Sequence, residues 1–367
     1  MRWNWQRTDW TKFTYDSNRL AQFEEKFLLR AGQLFGITKH LNKSEAQQLS
    51  IDILSDEAMK TSEIEGEILS RESVQSSVKR HFGLQTASNQ KILAAEDGIA
   101  ELMVDLYQNS QKLLTEETLF RWHKMILRGN QDLQDIGRYR THEEPMQVVS
   151  GYVHKRKVHF EAPPSKQVPK EMSHFMSWYR SSKKDSQLSP LIRSGIAHLY
   201  FVSIHPFEDG NGRIARAISE KILSEGLKRP SLTGLSIAIQ SQRKKYYQAL
   251  EQANKHNEIT DWLYYFSETV LEAQSLTESL LEFILQKTKF YDKYRDQLNV
   301  RQHKVVDKLL KSGPNGFTGG LSAEKYISIT RTSRATATRD LQELLELGAL
   351  TKTGELKHTR YWLKLSL

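Results

Sequence analysis

The sequence predicts a mostly α-helical chain with one internal β-hairpin and a small helical unit at its C-terminal end, closed by a second hairpin. Three observations carry this. Apolar residues recur at helical spacing over most of the 367 residues. The spacing changes once, between Gly137 and Pro164, to short alternating runs. From Arg301 onward the charge balance shifts towards lysine and arginine.

The elements follow in order. Trp3, Trp5, Trp10, Phe13 and Tyr15 read as an anchored terminal segment. Leu20, Phe23, Phe27, Leu28 and Leu34 then give a helical stripe. From Ser44 to Phe82 the pattern stays helical through Ile51, Leu54, Ala58, Ile64, Ile68 and Leu69. Lys91 to Tyr107 and Glu116 to Leu127 read as further helices. Val148-Val149, Gly151 and Val153, then Lys157-Val158-His159-Phe160, predict two strands ending at Pro163-Pro164. Helices resume over Val168 to Tyr179, Pro190 to Ile204, Gly212 to Glu225, Arg243 to Asn254 and Thr260 to about Lys287.

Composition narrows the chemistry. Cysteine is absent, which excludes disulfides, cysteine-ligated zinc and a cysteine nucleophile. No apolar run approaches the roughly 20 residues that span a bilayer, and the polar, aromatic start has no signal-peptide core. These features predict a cytoplasmic protein without membrane contact. The net charge is +9, and residues 301–367 hold 12 Lys+Arg against 6 Asp+Glu, most of that excess.

The stretch His205-Pro206-Phe207-Glu208-Asp209-Gly210-Asn211-Gly212-Arg213-Ile214-Ala215-Arg216 is the most informative. Pro206 ends the preceding helix. Gly210-Asn211-Gly212 at the next helix start lets backbone N–H groups approach an anion. Arg213 and Arg216 lie on one side of that first turn and suit a polyphosphate. Asp209 is a hard oxygen ligand suited to Mg²⁺. His205 can accept a proton from a hydroxyl near neutral pH. No Gly-Lys-Ser/Thr follows the glycines, so this is not a Walker A loop.

His205 to Arg216 resembles the motif of the Fic family, HPFx(D/E)GNGRxxR, at every defined position, and the likeness extends from about Lys91 to Glu272. The resemblance implies transfer of AMP from ATP to a Tyr, Thr or Ser hydroxyl of a target protein, including self-modification, with release of pyrophosphate. It implies that His205 is the general base and that Phe207 anchors the loop. Asp209 would hold Mg²⁺. Gly210, Asn211 and Gly212 would bind the α-phosphate, and Arg213 and Arg216 the β- and γ-phosphates. Glu208 occupies the variable position and receives no role. Val158, His159, Phe160 and Glu161 fall in the family's flap, a strand that pins a target peptide by β-augmentation. Tyr246, Tyr247 and Asn254 resemble its adenine-contacting helix.

Thr61-Ser62-Glu63-Ile64-Glu65-Gly66 is similar to the inhibitory motif (S/T)xxxE(G/N) of many Fic proteins. The resemblance implies that Glu65 pairs with Arg216 and displaces the γ-phosphate, with Thr61 and Gly66 completing the motif. The segment around Trp3, Trp5, Asp9 and Trp10 resembles an uncharacterised domain found ahead of Fic cores in bacteria.

Residues 301–367 read as a winged helix-turn-helix. Val305, Val306, Leu309 and Leu310 line a first helix, Ser322 to Tyr326 gives a second, and Ser333 to Gly348 a recognition helix. Leu350 to Thr353 and Arg360 to Leu363 form the wing. Arg331, Arg334 and Arg339 could reach DNA, although such modules also dock proteins. The expected domains are a helical region with the inhibitory helix (1–90), the Fic core (91–275), a helical linker (276–300) and the winged unit (301–367). Three readings stay open beside AMP transfer: a DNA-binding regulator with a nucleotide-sensing core, removal of AMP from a modified target, and phosphocholine transfer; assembly as a homodimer is a further expectation. Gly212 argues against phosphoryl transfer, for which related proteins carry lysine there.

Overall fold

The computed structural model describes residues 2–85, 92–150, 156–314 and 316–365. The expected helix start at Lys91 and the strand positions Gly151 and Val153 lie outside them. The chain forms two compact units. One comprises residues up to Gly36 with Ser50–Thr277, the other Ile37–Leu49 with Glu278–Leu367.

The helices run in chain order as α1 (Ser17–Thr38), α2 (Lys43–Ile64), α3 (Arg71–His81), α4 (Ala94–Gln108) and α5 (Glu116–Ile126). A hairpin follows, β1 (Gln147–Ser150) and β2 (Lys157–Glu161). Then come α6 (Val168–Ser182), α7 (Pro190–Ile204), α8 (Asn211–Leu227), α9 (Leu235–Ser241), α10 (Arg243–Ala253) and α11 (Thr260–Tyr294). The protein is thus mostly helical with a small two-stranded hairpin, as the sequence predicts.

Helix α7 sits at the centre of the first unit. Every residue from Leu191 to Ile204 is buried, which matches its apolar composition on all faces. Each large side chain so buried contributes about 1.5–3 kcal/mol. Ser189 starts the helix by accepting from the Ile192 N–H, with Pro190 in the first turn. Helix α8 packs along it through Ile214, Ile218 and Ile222, all fully buried. Rigid packing of these two helices fixes the loop between them.

The continuous helical pattern expected over Ser44 to Phe82 is broken into α2 and α3. Gly66 takes a φ of +93°, a left-handed conformation that glycine adopts without penalty. The Glu67 N–H then returns to the Ser62 carbonyl at 3.0 Å, closing the helix end. Ile68, expected in the core, is consequently 93% exposed. Helix α9 escapes the sequence pattern because it is only seven residues long.

The aromatic terminal segment is anchored as expected. The Asn4 N–H donates to the Asn254 carbonyl (2.7 Å), the Asn4 amide to Ser203 Oγ (2.8 Å), and Trp5 Nε1 to the Glu161 carbonyl (2.7 Å). Trp3 packs edge-on against Phe160. These bonds tie the N-terminal segment to the far end of β2.

The second unit contains α12 (Val300–Leu310), α13 (Ala323–Thr330), α14 (Arg334–Glu346), and the antiparallel pair β3 (Leu350–Thr353) and β4 (Arg360–Leu363). Leu321 also bridges Tyr361 of β4 through backbone pairing. Val305, Val306, Tyr326, Leu341 and Leu344 form its core. Asp340 is buried and receives Arg301 Nε (2.7 Å) and the Tyr326 hydroxyl (2.9 Å), joining α12, α13 and α14. Arg331, Arg334 and Arg339 are exposed.

Candidate active site

Helix α7 ends at Ile204, and His205 takes φ 52°, ψ 58°. A left-handed histidine costs energy and persists only where its surroundings over-determine it. Those surroundings are specific. Arg140 is buried, and its guanidinium donates to the His205 carbonyl (2.8 Å) and to Ser165 Oγ (2.8 Å). Its own N–H donates to the Pro206 carbonyl (3.0 Å). His205 Nδ1 lies 3.2 Å from the Val202 carbonyl, which can only accept, so Nδ1 carries the proton and Nε2 a lone pair. Burial lowers the His205 pKa to about 4; Arg140 adds to this, while the Val202 carbonyl, Glu65 and Asp209 oppose it. The imidazole is therefore neutral near pH 7.

The loop is locked from beneath. Phe207 is fully buried and stacks on the His123 ring at 4.1 Å. His123 Nδ1 accepts from the Gly137 N–H (2.8 Å), so its Nε2–H donates to the Asp209 carbonyl (3.1 Å). Asn211 accepts from the Phe207 N–H (3.0 Å) and donates to the Phe207 carbonyl (2.8 Å). The Asn211 side chain thus closes the loop on itself. Glu208 accepts from the Asp135 N–H (2.7 Å), a bracing contact with no signal in the sequence. Arg140 and His123 likewise lie far from the motif in sequence, in stretches without special spacing.

Two arginines line the start of α8. Arg213 donates to Glu67 (2.8 and 2.9 Å) and to Asp209 Oδ2 (3.1 Å). Arg216 donates through Nε to Thr61 Oγ1 (2.7 Å), and through Nη2 to the Thr61 carbonyl (2.9 Å) and Glu65 Oε1 (2.7 Å). Both arginines are buried, and among the described residues Arg213 Nε and Arg216 Nη1 have no hydrogen-bond partner. Unpaired buried guanidinium donors are costly, and this is the place where an anion would answer them.

Glu65 stands in that place. A Cβ on Gly212 would lie 2.4 Å from Glu65 Oε1 and 3.1 Å from Arg216 Nη1, so the carboxylate sits directly over the helix start. Burial pushes the Glu65 pKa up, but the charge and hydrogen bond of Arg216 outweigh it and hold the carboxyl below its usual range. The Tyr247 hydroxyl lies 3.1 Å from the Ile64 carbonyl and 3.4 Å from Glu65 Oε2.

A cavity of about 680 Å³ opens above these groups. Glu65, His159, Phe160, His205, Asp209, Gly210, Asn211, Gly212, Tyr246, Tyr247 and Asn254 line it. Val158, Glu161, Thr61, Gly66, Arg213 and Arg216 are not among the lining residues, although the two arginines lie behind it. Tyr246 is buried with its oxygen 2.9 Å from His198 Nε2, and Asn254 Oδ1 accepts from Ser203 Oγ (3.1 Å). Their polar ends hold the fold, leaving Tyr247, 37% exposed, as the open aromatic face. Arg331, Arg334 and Arg339 belong to the other unit.

Residues 113–223 match the family described as Fic/DOC. The chain carries a Fic domain. Residues 3–84 of this Fic-domain protein match a domain of unknown function, DUF4172. Among curated relatives, it is 29% identical over 181 residues to a protein adenylyltransferase Fic of Nematostella vectensis, covering 49% of this chain and 38% of the relative. It is 39% identical over 85 residues to the protein adenylyltransferase Fic of Aedes aegypti, covering 23% of this chain and 16% of the relative. The chain thus spans well under half the length of the curated relatives it matches. Among solved structures, a Fic family protein from Desulfovibrio desulfuricans aligns with a TM-score of 0.54 at 20% identity over 93% of this chain and 96% of the other. Fic-1 of Caenorhabditis elegans aligns with a TM-score of 0.50 at 20% identity over 71% and 73%. These two show a shared fold.

The histidines beneath the loop give a test of the packing. Burial lowers the pKa of His123 to about 4 and of His198 to about 3. Both lie below the ordinary value near 6.5, so the unfolded chain binds more protons between pH 6.5 and 4. Stability is then lost as pH falls through that window, by up to about 1.4 kcal/mol per pH unit for each imidazole. Glu57, which burial raises to about 7, opposes one of the two down to its unfolded value, and His205 adds to them. The melting temperature is expected to fall between pH 6.5 and 5. His198→Gln should flatten the slope; a slope equal to wild type would contradict its neutral burial.

Proposed function

We propose that this Fic-domain protein transfers AMP from ATP to a Tyr, Thr or Ser hydroxyl of a target protein, and to itself, releasing pyrophosphate. The observation that carries the reading is the pair of buried arginines with unpaired Nε and Nη1 atoms, set behind a helix start beside a neutral histidine. Phosphates answer those donors. His205 Nε2 accepts the proton of the target protein's hydroxyl. The backbone of Gly210 to Gly212 takes the α-phosphate, and Arg213 and Arg216 take the β- and γ-phosphates. Tyr247 supplies the open aromatic face for the adenine, with Tyr246 and Asn254 behind it.

The residues fit Mg²⁺ through one ligand. The Asp209 side chain is half exposed at the cavity, with Oδ1 accepting from the Gly210 N–H (2.6 Å). Asp209 would hold the ion, which neutralises phosphate charge when bound. Strand β2 pairs with β1 along one edge only among the described residues. Lys157 to Glu161 can therefore receive an extended target segment on the other edge, with Val158 to Glu161 beside it.

Transfer is held in check by Glu65. Its carboxylate occupies the Arg216 donor and the space over Gly212, so the γ-phosphate cannot seat and the α-phosphate is misaligned. Thr61 fixes the guanidinium from the other side, and Gly66 ends α2 so that Glu65 turns inward. The four proposed regions are 1–90, 91–275, 276–300 and 301–367.

For 301–367 we propose a winged helix-turn-helix that contacts DNA, on the exposure of Arg331, Arg334 and Arg339 around the start of α14. The double variant Arg334→Ala/Arg339→Ala should weaken duplex binding and lower the salt slope by up to about two, at about 0.9 per phosphate contact. AMP transfer should be unchanged. Equal duplex affinity and salt slope in variant and wild type would rule out these contacts.

A further inference from the structure

We propose that Ser150 of β1 is itself an acceptor of AMP, activated by a Ser150–His159–Glu251 relay that spans the flap and α10. The proposal rests on the adenylyl-transfer reading above. Ser150 Oγ lies 2.6 Å from His159 Nε2, and His159 Nδ1 lies 2.7 Å from Glu251 Oε2. An ionised carboxylate can only accept, so Nδ1 carries the proton, and in the neutral imidazole Nε2 accepts the Ser150 O–H. This is the order of nucleophile, base and orienting acid that activates a serine hydroxyl. Lys157 Nζ stands 3.3 Å from Glu251 Oε1, and Lys255 Nζ 3.9 Å, which favours the charged carboxylate. The hydrogen bond from His159 is the largest influence holding the Glu251 carboxyl below its usual range.

Location and competition single out Ser150. Ser150, His159 and Glu251 line the same cavity as His205, Asp209 and Gly212. Hydroxyls on that lining come from Ser150, Tyr246 and Tyr247. The Tyr246 hydroxyl is buried against His198, and that of Tyr247 faces the Ile64 carbonyl and Glu65. Among the described lining residues, Ser150 is the hydroxyl that is exposed and paired with an imidazole oriented by a carboxylate.

In the step, a bond forms from Ser150 Oγ to the α-phosphorus of ATP. The bond from that phosphorus to the α,β-bridging oxygen breaks, and its electron pair leaves with pyrophosphate. The Ser150 proton passes to His159 Nε2, where Glu251 offsets the new charge. The product is a serine–AMP phosphodiester, with no change of oxidation state.

The full-length Glu65→Gly protein is incubated with ATP and Mg²⁺ together with proteins of its own cell lysate, and every modified peptide is mapped by tandem mass spectrometry. AMP is expected on Ser150, absent from Ser150→Ala, and retained at the same position in Ser150→Thr. Glu251→Gln should lower labelling of Ser150 at least about 100-fold relative to labelling of lysate proteins. A relay that merely tethers the flap would lower both together, and a constant ratio would overturn the activating role. AMP on lysate proteins with Ser150 unmodified would overturn the proposal and leave adenylyl transfer standing. AMP on no protein would overturn both.

Discussion

Glu65→Gly is expected to raise AMP transfer by about 100-fold or more, with little loss of stability. The Glu65 carboxylate is 2.7 Å from Arg216 Nη2 and lies within 2.4 Å of where a Gly212 Cβ would stand. It competes as a charge-assisted partner for the same guanidinium that a γ-phosphate needs. Removing it frees Arg216 and the space over the α8 start together. The α-phosphate can then align with His205, and misalignment of a reacting group by about 1 Å costs roughly 100-fold in rate. The fold should tolerate the change. Glu65 precedes Gly66 at the end of α2, and Arg216 keeps both hydrogen bonds to Thr61. Wild type and Glu65→Gly, assayed side by side with labelled ATP, would show the difference. Equal labelling would remove the proposed brake.

His205→Ala is expected to abolish transfer to other proteins while leaving ATP binding intact. The variant removes the Nε2 lone pair but none of the donors proposed to hold phosphate. Those are the Gly210 to Gly212 backbone and the Arg213 and Arg216 side chains. General-base removal costs about 10²–10⁴-fold. Alanine at a left-handed position also carries strain, so the readout pairs the rate with nucleotide affinity measured on folded protein. Arg140 holds the main chain here through the His205 and Pro206 carbonyls, contacts that alanine retains. Loss of ATP binding in folded His205→Ala would mean that the histidine holds the nucleotide. Persistent labelling of lysate proteins by Glu65→Gly/His205→Ala would mean that it is not the base.

The parts of the site legible in the sequence are those whose chemistry is local. His205 to Arg216 forms one turn and one helix start, so residue type and spacing suffice to bring a histidine, a glycine turn and two guanidiniums together. The flap was legible because its two strands alternate and end at Pro163-Pro164. The Glu65–Arg216 pair came from a resemblance, since nothing local links residues 151 apart in the chain. What stayed hidden is tertiary. Arg140 and His123 brace the loop from elements whose sequence gives no hint of that approach. Asn211, Tyr246 and Asn254 carry polar groups that the sequence offers to a ligand, but the fold turns them onto Phe207, His198 and Ser203. The break at Gly66 was masked because the apolar spacing continues across it to Ile68, which the left-handed glycine then points away from the core. Ser150, His159 and Glu251 meet only because β1, β2 and α10 converge.

The most direct measurement uses the Glu65→Gly protein and its cell lysate with Mg²⁺ and ATP labelled in parallel at the α- or the γ-phosphate. Transfer of AMP keeps the α-phosphorus on the acceptor and releases the γ-phosphorus with pyrophosphate. The account predicts protein-bound label from α-labelled ATP, none from γ-labelled ATP, and loss of the label from lysate proteins when His205→Ala is added. Protein-bound label from γ-labelled ATP, or none from the α-labelled nucleotide, would contradict it.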